Sequence, residues 1–199
     1  IGETVTVTAT PNAGYSLASI AVDGTAIAGN TFTMPAKNVT VTATFTAISY
    51  NVTVTAPTNG TLTTDKATAK IGETVTVTAT PNAGYSLASI AVDGTAITGN
   101  TFTMPAKNVT VTATFTAISY NVTVTAPTNG TLTTDKATAK IGETVTVTTT
   151  PSAGYSLASI AVDGTAIVGN TFTMPAKNVT VTATFTANSY NVTVTAPTN

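Results

Sequence analysis

An all-β chain of small tandem modules follows from three features of the sequence. It has a repeat of fixed length, a strict two-residue alternation within each repeat, and turn-forming residues wherever the alternation stops. The segment Ile1-Gly2-Glu3-Thr4-Val5-Thr6-Val7 recurs from Ile71 and again from Ile141, a period of 70 residues in a chain of 199. Length alone allows one or two ordinary domains, but the period makes the repeat the unit to be explained.

Three runs in each repeat alternate. Val5, Val7 and Ala9 stand against Thr4, Thr6, Thr8 and Thr10; Val39, Val41, Ala43 and Phe45 against Thr40, Thr42 and Thr44; Tyr50, Val52, Val54 and Ala56 against Asn51, Thr53 and Thr55. Period two with β-branched residues on both faces predicts half-buried antiparallel strands, about six short ones per repeat. Pro11-Asn12-Ala13-Gly14, Asp23-Gly24, Gly29-Asn30, Pro35-Ala36-Lys37-Asn38 and Pro57-Thr58-Asn59-Gly60 punctuate them with turn chemistry. Leu17 and Ile20 are three apart, so a shared face requires a bulge near Ala18 and Ser19. No segment has a helical period of comparable length. Val5, Val7, Tyr15, Leu17, Ile20, Val39, Val41, Phe45, Tyr50, Val52 and Leu62 head the expected core of each repeat, which is near the lower size limit for folding without staples.

Composition removes several classes of function. Hydrophobic residues make up 42% and charged residues 8%, against about 25% charged in an average soluble domain, so Thr and Asn carry the solubility. All seven cations are Lys and the net charge is −1; the basic footprint that nucleic acid or anionic lipid demands is missing, and neither is expected as a partner. Without Cys, His, Arg, Trp or Gln there are no disulfides, zinc sites or His-based triads to build. No run reaches the roughly 18 apolar residues of a membrane-spanning helix, and no signal peptide opens the chain. Targeting and anchoring segments are expected outside these residues.

Gly2-Glu3-Thr4-Val5-Thr6-Val7, then Pro11, Gly14-Tyr15, Ile20, Val22-Asp23-Gly24 and the run from Phe32-Thr33-Met34-Pro35-Ala36-Lys37-Asn38 to Phe45, resemble the divergent internalin-B-type B-repeat domain of bacterial surface proteins. The resemblance extends over essentially the whole chain. It implies a small, β-grasp-like fold, here without a clear helix, in an extracellular or cell-surface protein, and it supplies no catalytic residues. In that family's frame the chain divides into a first repeat (1–48) lacking its first strands, a second (49–118), a third (119–188), and 189–199 as the first strand of a further repeat.

The remaining chemistry is sparse. Glu3 and Asp23 are the only acids in the first repeat, and turn acids outside any cleft point to solvated loops, so no enzyme activity, cofactor or metal is expected. Tyr15 and Tyr50 are in phase with the core, which favours packing over sugar stacking. Lys37 beside Asn38 is a candidate for a Lys-to-Asn or Lys-to-Asp isopeptide cross-link of the kind found in bacterial stalk domains. The Thr rows suit ice at the spacings of a flat sheet, but short twisted strands work against a flat plane.

The function expected is structural: a spacer or stalk whose partners are adjacent repeats or neighbouring copies of itself. The short connections Thr46-Ala47-Ile48-Ser49 and Thr116-Ala117-Ile118-Ser119 should limit bending. The alternative is an extracellular fibre joined by strand exchange, with Tyr190, Val192, Val194 and Ala196 as the inter-chain strand.

Overall fold

In the computed structural model, which describes residues 1–195, every regular element is a strand. The first repeat holds β1 (Thr4–Thr6), β2 (Tyr15–Val22), β3 (Thr25–Ala26), β4 (Thr31–Thr33) and β5 (Val41–Ala47). The second holds β6 (Ser49–Val54), β7 (Gly60–Thr64), β8 (Thr68–Lys70), β9 (Thr74–Pro81), β10 (Tyr85–Val92), β11 (Thr95–Ala96), β12 (Thr101–Thr103) and β13 (Val109–Ala117). The third repeats the same eight as β14 (Ser119–Val124), β15 (Gly130–Thr134), β16 (Thr138–Lys140), β17 (Thr144–Pro151), β18 (Tyr155–Val162), β19 (Thr165–Ala166), β20 (Thr171–Thr173) and β21 (Val179–Ala187). Eight strands replace the six expected, because pieces such as β3, two residues long, are too short for alternation to reveal.

By its contacts the chain divides into two compact units, Ile1–Thr80 with Leu87–Phe115, and Pro81–Ser86 with the residues from Thr116 on. In the second repeat a five-stranded sheet runs β11-β10-β13-β6-β8 and a three-stranded one β12-β9-β7; the third has the same two sheets, β16-β14-β21-β18-β19 and β15-β17-β20. Within the first unit, Val52, Leu62, Ala69, Val75, Val77, Ile90, Met104, Val109 and Val111 form one buried cluster. Their counterparts from Val122 to Val181, joined by Ala183, form another in the second unit.

Two features follow directly from local sequence. β2 and β5 pair antiparallel with a register shift between Leu17 and Ser19, and β18 and β21 shift likewise between Leu157 and Ser159; this bulge returns Leu17 and Ile20 to one face. Asp23 at φ 47° and Gly24 at φ 80° give the two left-handed central residues of a type I′ turn, which suits the twist of a tight hairpin.

Other expectations are corrected. Tyr50–Val54 was expected to be an antiparallel strand; β6 does pair antiparallel with β8, Tyr50 beside Ala69, but on its other side it runs parallel to β13, with Val52 beside Val109 and Val54 beside Val111. Alternation fixes which face is buried and carries no information about direction. Leu17, Leu87 and Leu157 are exposed, not core: Leu87 borders a concavity whose other walls include Ala88, Ser89, Gly99 and Asn100, residues too small or too polar to cover it. In the first repeat Tyr15, Val41 and Phe45 are exposed as well, and Ile20 is the only fully buried hydrophobic residue. Among the described residues β5 is paired with β2 alone, whereas its counterpart β13 lies between β10 and β6.

Candidate functional site

The polar chemistry of the described residues lies in contacts between strands and between repeats. The first of these is a parallel seam between the opening and closing strands of a repeat. Beyond the Val52–Val109 and Val54–Val111 pairs, the Thr55 N–H donates to the Val111 carbonyl at 3.0 Å, and the Asn51 N–H donates to the Asn108 side-chain oxygen at 2.9 Å. Asn108 thus satisfies the donor at the strand's entry, where the ladder does not reach. The third repeat reproduces the seam: Val122 pairs with Val179 and Val124 with Val181, Thr125 donates to Val181 at 3.0 Å, and Asn121 to Asn178 at 2.8 Å.

The second contact is a joint. Within the first unit, Ile71 seats against Gly14, where an added Cβ would meet the Ile71 side chain at 2.8 Å; Gly14 also needs φ +84°. Its carbonyl accepts the Ile48 N–H at 2.8 Å. Within the second unit, Ile141 seats against Gly84 in the same way, and the Gly84 carbonyl accepts the Ile118 N–H at 2.8 Å. Each glycine therefore meets two demands at once, a left-handed turn and a flat seat for the isoleucine.

The third is an electrostatic pin. Lys37 Nζ lies 2.7 Å from Asp23 Oδ2, and Asp23 Oδ1 accepts the Thr40 N–H at 2.9 Å. Asp93 with Lys107 and Thr110, and Asp163 with Lys177 and Thr180, repeat this arrangement. The lysine hydrogen bond first, then the threonine N–H, holds each of these carboxyls below the usual 3.8, against the cost of desolvation. Glu73 is lowered chiefly by the Lys70 N–H, with help from the Lys66 and Lys70 charges. The pins are exposed and fasten turns to strands; ion pairs in such settings add little stability.

These contacts place the candidate residues. The Lys37 ammonium sits on Asp23, while the Asn38 counterparts Asn108 and Asn178 cap the seam. The two acids weighed as a pair are held by different partners, Asp93 by Lys107 and Thr110 and Glu73 by Lys70 and Lys66. Among the described residues no three acids gather as a metal site would require. Tyr50 and Tyr120 pack against the two core clusters. Tyr190, Val192 and Val194 are exposed and outside any strand; Ala196 lies outside the described residues. Ile71 and Ala69 were missed by sequence reasoning. An isoleucine between Lys70 and Gly72, where a turn calls for polar residues, was the signal for the first. Thr68-Ala69-Lys70, a short alternation, was the signal for the second.

Two sheets closed by a parallel seam, repeated along the chain with a recurring joint, define a tandem array of small all-β modules. A profile of the divergent InlB B-repeat domain matches residues 1–49, 50–119 and 120–189. The chain belongs to this family, whose repeats are typical of bacterial surface proteins. No curated protein sequence matches it. None of the described residues is in a helix, so no helix is long and apolar enough to cross a membrane.

Proposed function

We propose that these repeats are the spacer or stalk of an extracellular protein on a bacterial surface, structural and not enzymatic, bearing tension between an anchor and another domain. The observation that supports this reading is the direction of the seam. A repeat enters through β6 and leaves through β13, and the two run parallel. Tension pulls Ser49 one way and the end of β13 the other, so the seam's hydrogen bonds and packed valines are loaded together and slide in shear. Strands loaded from one end would instead open bond by bond. Forced unfolding is governed by the unfolding rate, so a geometry that raises that barrier serves a load-bearing stalk. The joints at Gly14–Ile71 and Gly84–Ile141 support the same reading by seating each repeat against the next.

Single-molecule pulling tests it. The chain lacks Cys, so handles attach cleanly at S49C and T116C to shear the second repeat's seam, or at T55C and T112C to open it from one end. The shear pair is expected to rupture at clearly higher force. Equal forces in the two geometries would remove the mechanical reading.

A further inference from the structure

Glycine follows asparagine at Asn59-Gly60 and at Asn129-Gly130; at Asn82-Ala83, Asn100-Thr101 and Asn108-Val109, by contrast, a residue with a side chain follows. The fold requires both members of the pair. Asn59 and Asn129 lie at φ 66°, in the left-handed region that asparagine, among residues with a side chain, adopts at small cost. The glycines are required for space. A Cβ at Gly60 would lie 2.5 Å from the Phe115 ring and 2.8 Å from the Thr80 carbonyl, and one at Gly130 would lie 2.5 Å from the Phe185 ring.

Packing and turn geometry thus select the dipeptide most prone to lose its side-chain amide. An asparagine amide is attacked by the backbone nitrogen of the next residue, and a glycine there has no Cβ to block the approach. In the third repeat the sheet leaves that nitrogen unengaged. Gly130 stands opposite Pro151, and the Ser152 N–H donates to the Asn129 carbonyl at 3.0 Å. Gly130 and Pro151 are therefore a widely spaced, non-hydrogen-bonded pair, in which the Gly130 N–H points away from β17. On that side β15 is the outer strand of its sheet. Both asparagines are exposed to water.

We propose that Asn59 and Asn129 are sites of spontaneous deamidation, and that the change loosens the repeat around each. The Gly130 nitrogen gives up its proton to water and bonds to the Asn129 side-chain carbonyl carbon; the bond from that carbon to the amide nitrogen breaks, and ammonia leaves. Water then opens the resulting cyclic imide at either of its carbonyls. One opening gives aspartate. The other gives isoaspartate, whose main chain runs through the former side-chain carbons and is one atom longer. Each site consumes one water, releases one ammonia and gains one carboxylate. The added atom falls between the turn and a glycine pressed against Phe185, so isoaspartate displaces that contact together with the bond from Ser152 to Asn129. Asn59, with Gly60 against Phe115, follows the same course. Neither step depends on tension or on a partner.

Ageing the 199-residue chain in warm, mildly alkaline buffer tests it, followed by peptide mapping with mass spectrometry that resolves aspartate from isoaspartate. Conversion is expected at Asn59 and Asn129, with isoaspartate present at both, while Asn82, Asn100 and Asn108 keep their amides. An N59G/N129G variant retains the turn, since glycine adopts the left-handed region freely, and lacks the reacting amide. Over the same incubation the unmodified chain should fall in melting temperature and the variant should not. A synthetic peptide spanning Pro127-Thr128-Asn129-Gly130-Thr131 sets the clock. If both asparagines are intact after many half-lives of that peptide, the folded turn protects them and the proposal is overturned. Conversion spread evenly over Asn82, Asn100 and Asn108 overturns it as well, because the glycine is then not what selects the site. Conversion with no fall in melting temperature relative to the variant overturns the loosening.

Discussion

From Val5 to Phe45 and from Val75 to Phe115 the first and second repeats carry the same apolar residues in the same order except at Ala28, where the second has Thr98, yet only the second buries them as a full core. Val41 and Val111 have the same neighbours in sequence, and each stands on a strand paired with its repeat's long hairpin strand, β5 with β2 and β13 with β10. They differ in the strand on the other side. Burial here belongs to the closing of the seam more than to the hydrophobic pattern of either strand. A pattern assigns a side chain to a face; a second strand decides whether that face is dry.

The sharpest way to break the comparison is a charge at this position. Val111→Asp puts an unpaired carboxylate in a fully buried site and should cost upwards of about 4 kcal/mol, enough to unfold the second repeat. Val41→Asp, which pattern alone would rank as equally damaging, should shift the melt far less. Thermal melting followed by circular dichroism distinguishes them, and equal losses would mean that the first repeat's edge is covered in solution.

Gly60→Ala probes the same seam from the side. Its Cβ would lie 2.5 Å from the Phe115 ring and 2.8 Å from the Thr80 carbonyl, and overpacking of this kind costs about 1–3 kcal/mol. Gly24→Ala is the reference: it lies at φ +80° with nothing within 4 Å, so it reports backbone strain without a clash. Denaturant titration should place Gly60→Ala on the second repeat alone and leave the first untouched.

The smallest effect should be common to both repeats. Asp23 and Asp93 have carboxyls held below their usual 3.8. Their pins therefore add stability that is fully present above the unfolded-state value and is lost as pH falls through the lower folded-state value. A pH series of melts should show a modest loss confined to strongly acidic conditions. Asp93→Asn should remove the second repeat's share, and a loss beginning near neutrality would contradict the assignment.

Much of this was legible in the residues. Val-Thr alternation located the long strands, Asp23-Gly24 the tight turn, and the Leu17–Ile20 spacing the bulge, because each is set by contacts a few residues apart. The parallel direction of β6 was not legible, since it depends on an edge contributed by Val109–Val111. Nor was the exposure of Leu87, which reflects what is missing opposite it. The joint stayed hidden for a related reason: Gly14 reads as an ordinary turn glycine until Ile71 is seen on top of it.

The seam also sets an order of events in folding. Its strands are 57 residues apart, as Asn51 and Asn108 are, and chain length alone makes closing such a loop cost about 3.6 kcal/mol. Contacts this distant form late. As the chain emerges N-terminus first, Tyr50–Val54 must wait for Val109–Val111, and soon afterwards an identical competitor, Tyr120–Val124, follows. That competitor cannot fold back onto the same edge. Returning from Ala117 to the level of Val109 spans about 26 Å along the strand, and the five residues from there to Val122 reach at most about 18 Å. Each edge is thereby closed, within its own chain, to the strand that immediately follows it, and adjacent identical repeats are kept in order by reach instead of by sequence.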